Sequence, residues 1–183
     1  DAHAEGFENP VQKINEKLKL FIKSKVLIYC ADDDRMHDSV IAFKETHHKA
    51  LQLFGWSRKQ GSTLLICKTE KSEKGCSISC LYDSRELNFF IPFTDDASIH
   101  NAITCCCVLL YLNVAFPAIA SHIYQLRPVE MRLELKEGLN NCSIINDSYS
   151  TDINSLTIAL DFLLQQQQHS KRTVILSDIL QSS

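Results

Sequence analysis

Several features that would narrow the function at once are missing from this sequence. It has no basic cluster, since 19 Lys and Arg stand against 22 Asp and Glu for a formal charge of −3, and without a clustered basic excess no nucleic-acid partner is expected. It has no apolar run fit to span a bilayer. The longest candidate, residues 102–123, is interrupted by Thr104, Asn113, Pro117, Ser121 and His122, so it reads as a buried helix followed by a turn, and no membrane partner is expected. No basic, apolar and small-residue leader opens the chain, and Asp1 stands first with no initiator Met, so the true start is expected elsewhere and the setting is expected to be cytoplasmic. The eight cysteines include no C-x-x-C pair. Cys105, Cys106 and Cys107 are consecutive in an apolar run and cannot sensibly bridge one another, which favours reduced thiols over a disulfide framework or structural zinc.

What is present is ordinary for a globular α/β protein. The chain is 45% apolar and 22% charged over 183 residues, enough for one ample core or two modest domains and incompatible with disordered or fibrous classes. Asn9 and Pro10 form a helix start, and Val11, Ile14, Leu18 and Phe21 follow at helical spacing, predicting a helix over residues 10–23. Residues 25–30 form an apolar, β-prone run that meets the polar stretch Asp32, Asp33 and Asp34, as a buried strand ending in a loop should. A helix over 35–46 is expected next. Short strand-like runs at 51–56, 63–69, 76–82 and 86–91 predict a small antiparallel sheet attached to the α/β body. Asp95 and Asp96 open a long helix to about residue 115, and Phe116 and Pro117 interrupt it before a shorter one ending near Gln125.

Arg127 and Pro128 make a plausible boundary, because the residue before Pro is biased away from helix. Beyond it, strands at 131–136 and 142–146 joined by a turn at Glu137 and Gly138, a helix over 152–168 and a buried strand at 173–177 predict a right-handed βαβ unit. The four glutamines Gln165, Gln166, Gln167 and Gln168 read as a solvated helix end.

Three separated segments resemble the Mur ligase family. The first is Asp1, Ala2, His3, Ala4, Glu5, Gly6 and Phe7, similar to the family's Ala-His-x-Glu-Gly-Phe, followed by Glu16, Lys17, Leu18, Lys19, Leu20 and Phe21 on the first helix. The second is His100 and Asn101 at the start of a long apolar helix. The third comprises Met131, Arg132, Leu133 and Glu134, then Ile145, Asn146, Asp147, Ser148 and Tyr149, then a helix and Val174, Ile175, Leu176, Ser177 and Asp178, similar to an Arg-x-Glu strand, an Asp-Asp-Ser-Tyr-Asn loop and a Gly-Asp-Met ending. Each motif is short; their order and spacing carry the resemblance.

The resemblance implies an α/β fold: the later part of a P-loop-type ATP-binding central domain with its small antiparallel sheet over residues 1–127, and the first part of a Rossmann-like C-terminal ligase domain over 128–183. It implies amide formation through an acyl phosphate, with ATP and Mg²⁺ as cofactors, and is greatest to the activity that adds D-alanyl-D-alanine to a UDP-N-acetylmuramoyl-tripeptide in peptidoglycan precursor synthesis. His3 would ligate a magnesium, and Lys17 would react with CO₂ to become a carbamate that ligates or orients the metal. Asn101 would contact the adenine, Arg132 the phosphates, and Asp147 the ribose hydroxyls, with Ser148 and Tyr149 facing the acceptor or the base. From composition alone, Lys17 reads as a solvated helix lysine and His3 as a surface or cap histidine, and His100 and Asn101 read equally as the polar first turn of a core helix.

Two departures stand out: Thr104 where the family commonly has a second Asn, and Ser150 where the loop usually has Asn. The family's Gly-x-x-Gly-Lys-Thr phosphate loop is absent from these residues, so they are expected to be part of a longer protein, inactive alone, with that loop and a UDP-sugar-binding domain upstream and room for a further fused domain. A folylpolyglutamate-synthase-like ligase and a non-catalytic α/β binding module remain alternatives.

Overall fold

A computed structural model describes residues 7, 9–127, 133–149, 153–166 and 168–176. The chain divides into two compact units, one spanning Gly6–Leu126 and the other including Arg127–Ser183.

The first unit is a single five-stranded sheet in the order β1-β2-β3-β4-β5 with helices on both faces. Helix α1 (Pro10–Leu18) opens with Pro in its first turn and Asn9 accepting the Gln12 amide at 2.9 Å. It is shorter than the spacing predicts, because its last turn tightens to a 3₁₀ turn over Lys19–Phe21, whose i→i+3 bonds satisfy carbonyls that continued α-helix would have used. Strand β1 (Val26–Cys30) and helix α2 (Asp34–His47, capped by Asp33) follow, and α2 carries the chain back so that β2 (Gln52–Ser57) pairs parallel with β1.

β3 (Leu64–Ser72), β4 (Gly75–Tyr82) and β5 (Arg85–Ile91) form an antiparallel meander. They are attached to the α/β body, as the pattern predicts, because β3 also pairs parallel with β2 through Trp56↔Leu64 and Ser57↔Leu65; the run at 51–56, expected in the antiparallel sheet, is instead a parallel strand beside β1. The connection over residues 58–63 is too short for a full parallel crossover. It suffices because β3 begins where β2 ends and runs on past it. The hydrophobic pattern identifies strands but not their neighbours, so the parallel placement of β2 beside β1 is not legible in it.

Alternation sorts the side chains of β1 onto the two faces. Val26, Ile28 and Cys30 join the larger core with Trp56, Leu64, Ile66, Ile78, Cys80 and Ile91 beneath α3 (Asp96–Tyr111) and α4 (Phe116–Tyr124). Leu27 and Tyr29 face the smaller cluster with Leu18, Val40 and Phe43 from α1 and α2. All eight cysteines are free thiols, with Cys76, Cys80, Cys106 and Cys107 buried as small apolar groups.

In the second unit β6 (Glu134–Glu137) and β7 (Ser143–Asn146) form an antiparallel hairpin, and α5 (Ile153–Gln165) follows. The turn holds Asn140 and Asn141 at φ of 57° and 54°, a conformation Asn tolerates better than most residues. The expected buried strand at 173–177 does not form over its described residues: 173–176 have no regular structure, and Ile175 is 94% exposed. β7 pairs only with β6 among the described strands, so the expected βαβ unit is not completed there. An apolar run becomes a parallel strand only with a ladder partner and cover on its faces, and among the described residues this segment has no ladder partner and little cover.

Candidate functional site

The carboxyl ends of parallel strands are where open α/β sheets usually bind ligands, and in the first unit three segments converge there. Asp32 follows β1, Ser57 and Arg58 lie at the end of β2, and the first turns of α3 lie against Trp56. Helix α3 runs back along β2, since Tyr111 at its far end donates to the Gln52 side chain at 3.3 Å.

Asp32 accepts from the Ser57 hydroxyl at 2.6 Å and the Arg58 amide at 2.8 Å, and pairs with the Arg58 guanidinium. Partial burial pushes its carboxyl upward, but these donors outweigh that and hold it below the usual Asp value. Asp33 caps α2 through the Arg35 and Met36 amides and pairs with the Arg35 side chain. Asp34 pairs with Lys59. Each of these carboxylates thus has a cation beside it, so Asp32 and Asp34 clasp the β1–α2 loop to the β2–β3 loop while Asp33 caps α2, and none of the three is a free general base. The acid run was visible in the sequence, but nothing local announced Arg58 and Lys59 as its partners.

Trp56 is fully buried, and its indole N–H donates to Thr104 Oγ1 at 3.0 Å. The Thr104 hydroxyl donates in turn to the His100 carbonyl at 2.9 Å, and the His100 ring meets Trp56 edge-on with centroids 5.0 Å apart. Asp95 caps the same helix end by accepting from Ser98 N at 2.7 Å. Asn101, in the next turn of helix, is exposed.

Lys17 lies in the last turn of α1, exposed, and its side chain makes no hydrogen bond or ion pair to a described residue; the neighbouring Lys19 pairs with Glu16 instead. Its helix belongs to the smaller cluster and that of Asn101 to the larger, so the two residues sit on helices covering opposite faces of the sheet. His3 and Arg132 lie outside the described residues. In the second unit Asp147 follows β7 and accepts from the Leu133 amide at 3.0 Å. Asn146 Oδ1 accepts from the Ser148 hydroxyl at 2.8 Å and the Ser148 amide at 3.3 Å, shaping the loop that presents Tyr149, 62% exposed. Asp147 also borders a groove of about 1080 Å³ between β7, α5 and residues 168–176, whose other walls include Leu156, Leu160, His169 and Val174. Among the described residues no cluster of three His, Cys, Asp or Glu side chains could hold a metal, and no helix is long and apolar enough to cross a membrane.

No family model matches the sequence, and no curated protein matches it significantly. Its architecture does match solved structures. A MurF from Acinetobacter baumannii superposes with a TM-score of 0.63 at 20% identity, over 78% of this chain and 30% of that one. A MurF ligase from Thermotoga maritima in complex with ADP gives 0.61 at 15% identity, over 90% and 37%. Folylpolyglutamate synthetase from Lactobacillus casei gives 0.59 at 15% identity, over 85% and 40%. The chain therefore has a mixed α/β fold matching Mur ligase domains, shared with folylpolyglutamate synthetase, and spans between 30% and 40% of the length of these structures.

Proposed function

We propose that these residues belong to an ATP-dependent ligase of the Mur type, which joins a carboxylate to an amine through an acyl phosphate. One observation carries the reading: His3 with Lys17, His100 with Asn101, and Arg132 with Asp147 occur in the order and spacing of the family's motifs, along a chain whose fold is that of those ligases. The residues on either side of the Leu126–Arg127 division are then the later part of the ATP-binding domain and the start of the C-terminal domain.

Such a reaction is governed by charge, since several anions crowd together while a phosphoryl group moves. Magnesium, when bound, offsets that charge. His3 would ligate it, and Lys17 as a carbamate would bring an anion to it where an ammonium would repel it. The exposed and unpaired side chain of Lys17 fits this role, because modification breaks no ion pair. Asn101 offers a paired donor and acceptor to the base, which fits its exposure. Arg132 would meet the phosphates, Asp147 the ribose hydroxyls, and Tyr149 the base or acceptor. No Gly-rich phosphate loop is present in these residues, so the cradle for the phosphates has to come from elsewhere in the protein.

The resemblance of the loop Asn146, Asp147, Ser148 and Tyr149 favours a UDP-N-acetylmuramoyl-tripeptide as carboxylate and D-alanyl-D-alanine as amine. The match to folylpolyglutamate synthetase supports a second reading, with a folate glutamate chain and glutamate in their place. Phosphate release by the full-length protein, measured with each substrate pair and ATP, separates them. Release only with the muramoyl pair is the expected result, release only with the folate pair selects the alternative, and release with neither overturns the ligase reading. Lys17→Ala is expected to abolish activity, with partial rescue by a small carboxylate; full activity in that variant would refute the carbamate role.

A further inference from the structure

The start of α3 is held more firmly than its cap alone requires. Thr104 has one hydroxyl proton and spends it on the His100 carbonyl, while the lone pair facing the sheet takes the proton of a fully buried indole. Trp56 also sets the His100 ring, and Asp95 fixes the first turn from outside. A helix turns about 100° per residue, so fixing Thr104 toward the sheet places Asn101, three residues earlier, about 60° around the axis and one turn nearer the helix start. There its amide is exposed at the carboxyl end of β2, beside a hydroxyl with no proton left to offer.

We propose that Trp56 and Thr104 are positioning residues for Asn101. The indole-to-hydroxyl bond, acting with the buried face of Ile99, Ala102, Ile103 and Cys106, fixes the rotation of the start of α3, so that Asn101 and not Thr104 reads a purine base. The inference rests on the reading of Asn101 as the base contact given above. A hydroxyl at position 104 is then required for nucleotide recognition although it never touches the nucleotide. Thr104→Ser keeps both bonds, whereas Thr104→Val keeps the shape but leaves the buried Trp56 N–H without its acceptor, which shifts the helix start against the sheet.

The test uses the full-length protein with ATP and GTP, measuring KM and kcat for each. Thr104→Val is expected to raise KM for ATP about tenfold, equivalent to about 1.4 kcal/mol, to change kcat by less than about twofold on that same scale, and to shrink the preference for ATP over GTP. Thr104→Ser is expected to restore all three. A merely structural role would lower the yield of active protein and leave KM and base preference where they were, and that result overturns the proposal. If Thr104→Val does not fold, Trp56→Phe removes the donor while keeping a buried ring, and the same comparison applies. Asn101→Ala separates the two levels. If it raises KM while the Thr104 and Trp56 variants do not, positioning fails and the base contact stands. If Asn101→Ala changes neither KM nor preference, the base contact itself is wrong and this proposal falls with it.

Discussion

Replacing Asp32 with Ala removes one acceptor from three donors at once, and the structure indicates what each loss costs. The Ser57 residue is only 2% exposed, so its hydroxyl loses its acceptor with little access to water, at about 1–3 kcal/mol. The Arg58 amide loses its partner too, for about 1 kcal/mol net. The Arg58 side chain is 43% exposed and rehydrates, so the ion pair itself adds about 0–1 kcal/mol. Asp32→Ala is therefore expected to destabilise by about 2–5 kcal/mol, lowering the urea midpoint by about 1–2.5 M for a slope near 2 kcal/mol per M. Asp32→Asn retains an acceptor for Ser57 and the amide and should lose about 1 kcal/mol. The pH dependence has a definite sign. The Asp32 carboxyl is held below its unfolded value of about 3.9, so its contribution is complete above that pH and disappears as pH falls through the folded value. The gap between the wild type and Asp32→Asn should close on acidification. An Asp32→Ala protein within about 0.5 kcal/mol of wild type, the range of an ordinary surface change, would refute the clasp.

Two further outcomes follow from the same sheet. At Gly75 the backbone has φ of +146°, and an added Cβ would lie 2.3 Å from the Ile91 carbonyl, so Gly75→Ala should cost about 2–4 kcal/mol and lower the melting temperature by about 4–16 °C; a scan showing no change would mean the β3–β4 turn relaxes freely. Burial pushes the Cys80 and Cys106 thiols up to about 12 and raises Cys76 and Cys107 as well, so alkylation of the native protein at about pH 8, near the ordinary thiol value, should reach exposed Cys67, Cys105 and Cys142 and spare the buried four until denaturant is added. Mass mapping of the adducts checks this, and rapid native labelling of Cys106 would show that α3 opens readily.

The starts of elements were the most legible part of the sequence, because their signals are local. Asn9 with Pro10, Asp33 and Asp95 each cap a helix, and Pro117 marks the break after α3. Local signals do not report which strand lies beside which. The run at 51–56 reads as a member of the antiparallel sheet but pairs parallel with β1 and β3, and residues 173–176 read as a strand on apolarity alone. The candidate site divides in the same way. Lys17, Asn101, Asp147 and Tyr149 could be named from motifs, whereas the bonds from Trp56 to Thr104 and from Asp32 to Arg58 link residues 48 and 26 positions apart and left no trace in any short window.

The overshoot of β3 beyond β2 gives the sheet a step. From Ile66 onward β3 has no described neighbour on its β2 side and is flanked on the other by β4. A molecule resting at the top of β2 would meet the β3–β4 hairpin as a parapet along one flank and the lower clasp of Asp32 and Arg58 along the other. Approach would be one-sided, from over β1 and the Asp32 loop, and lengthening or shortening the β3–β4 hairpin would change the height of that barrier without touching the floor beneath it.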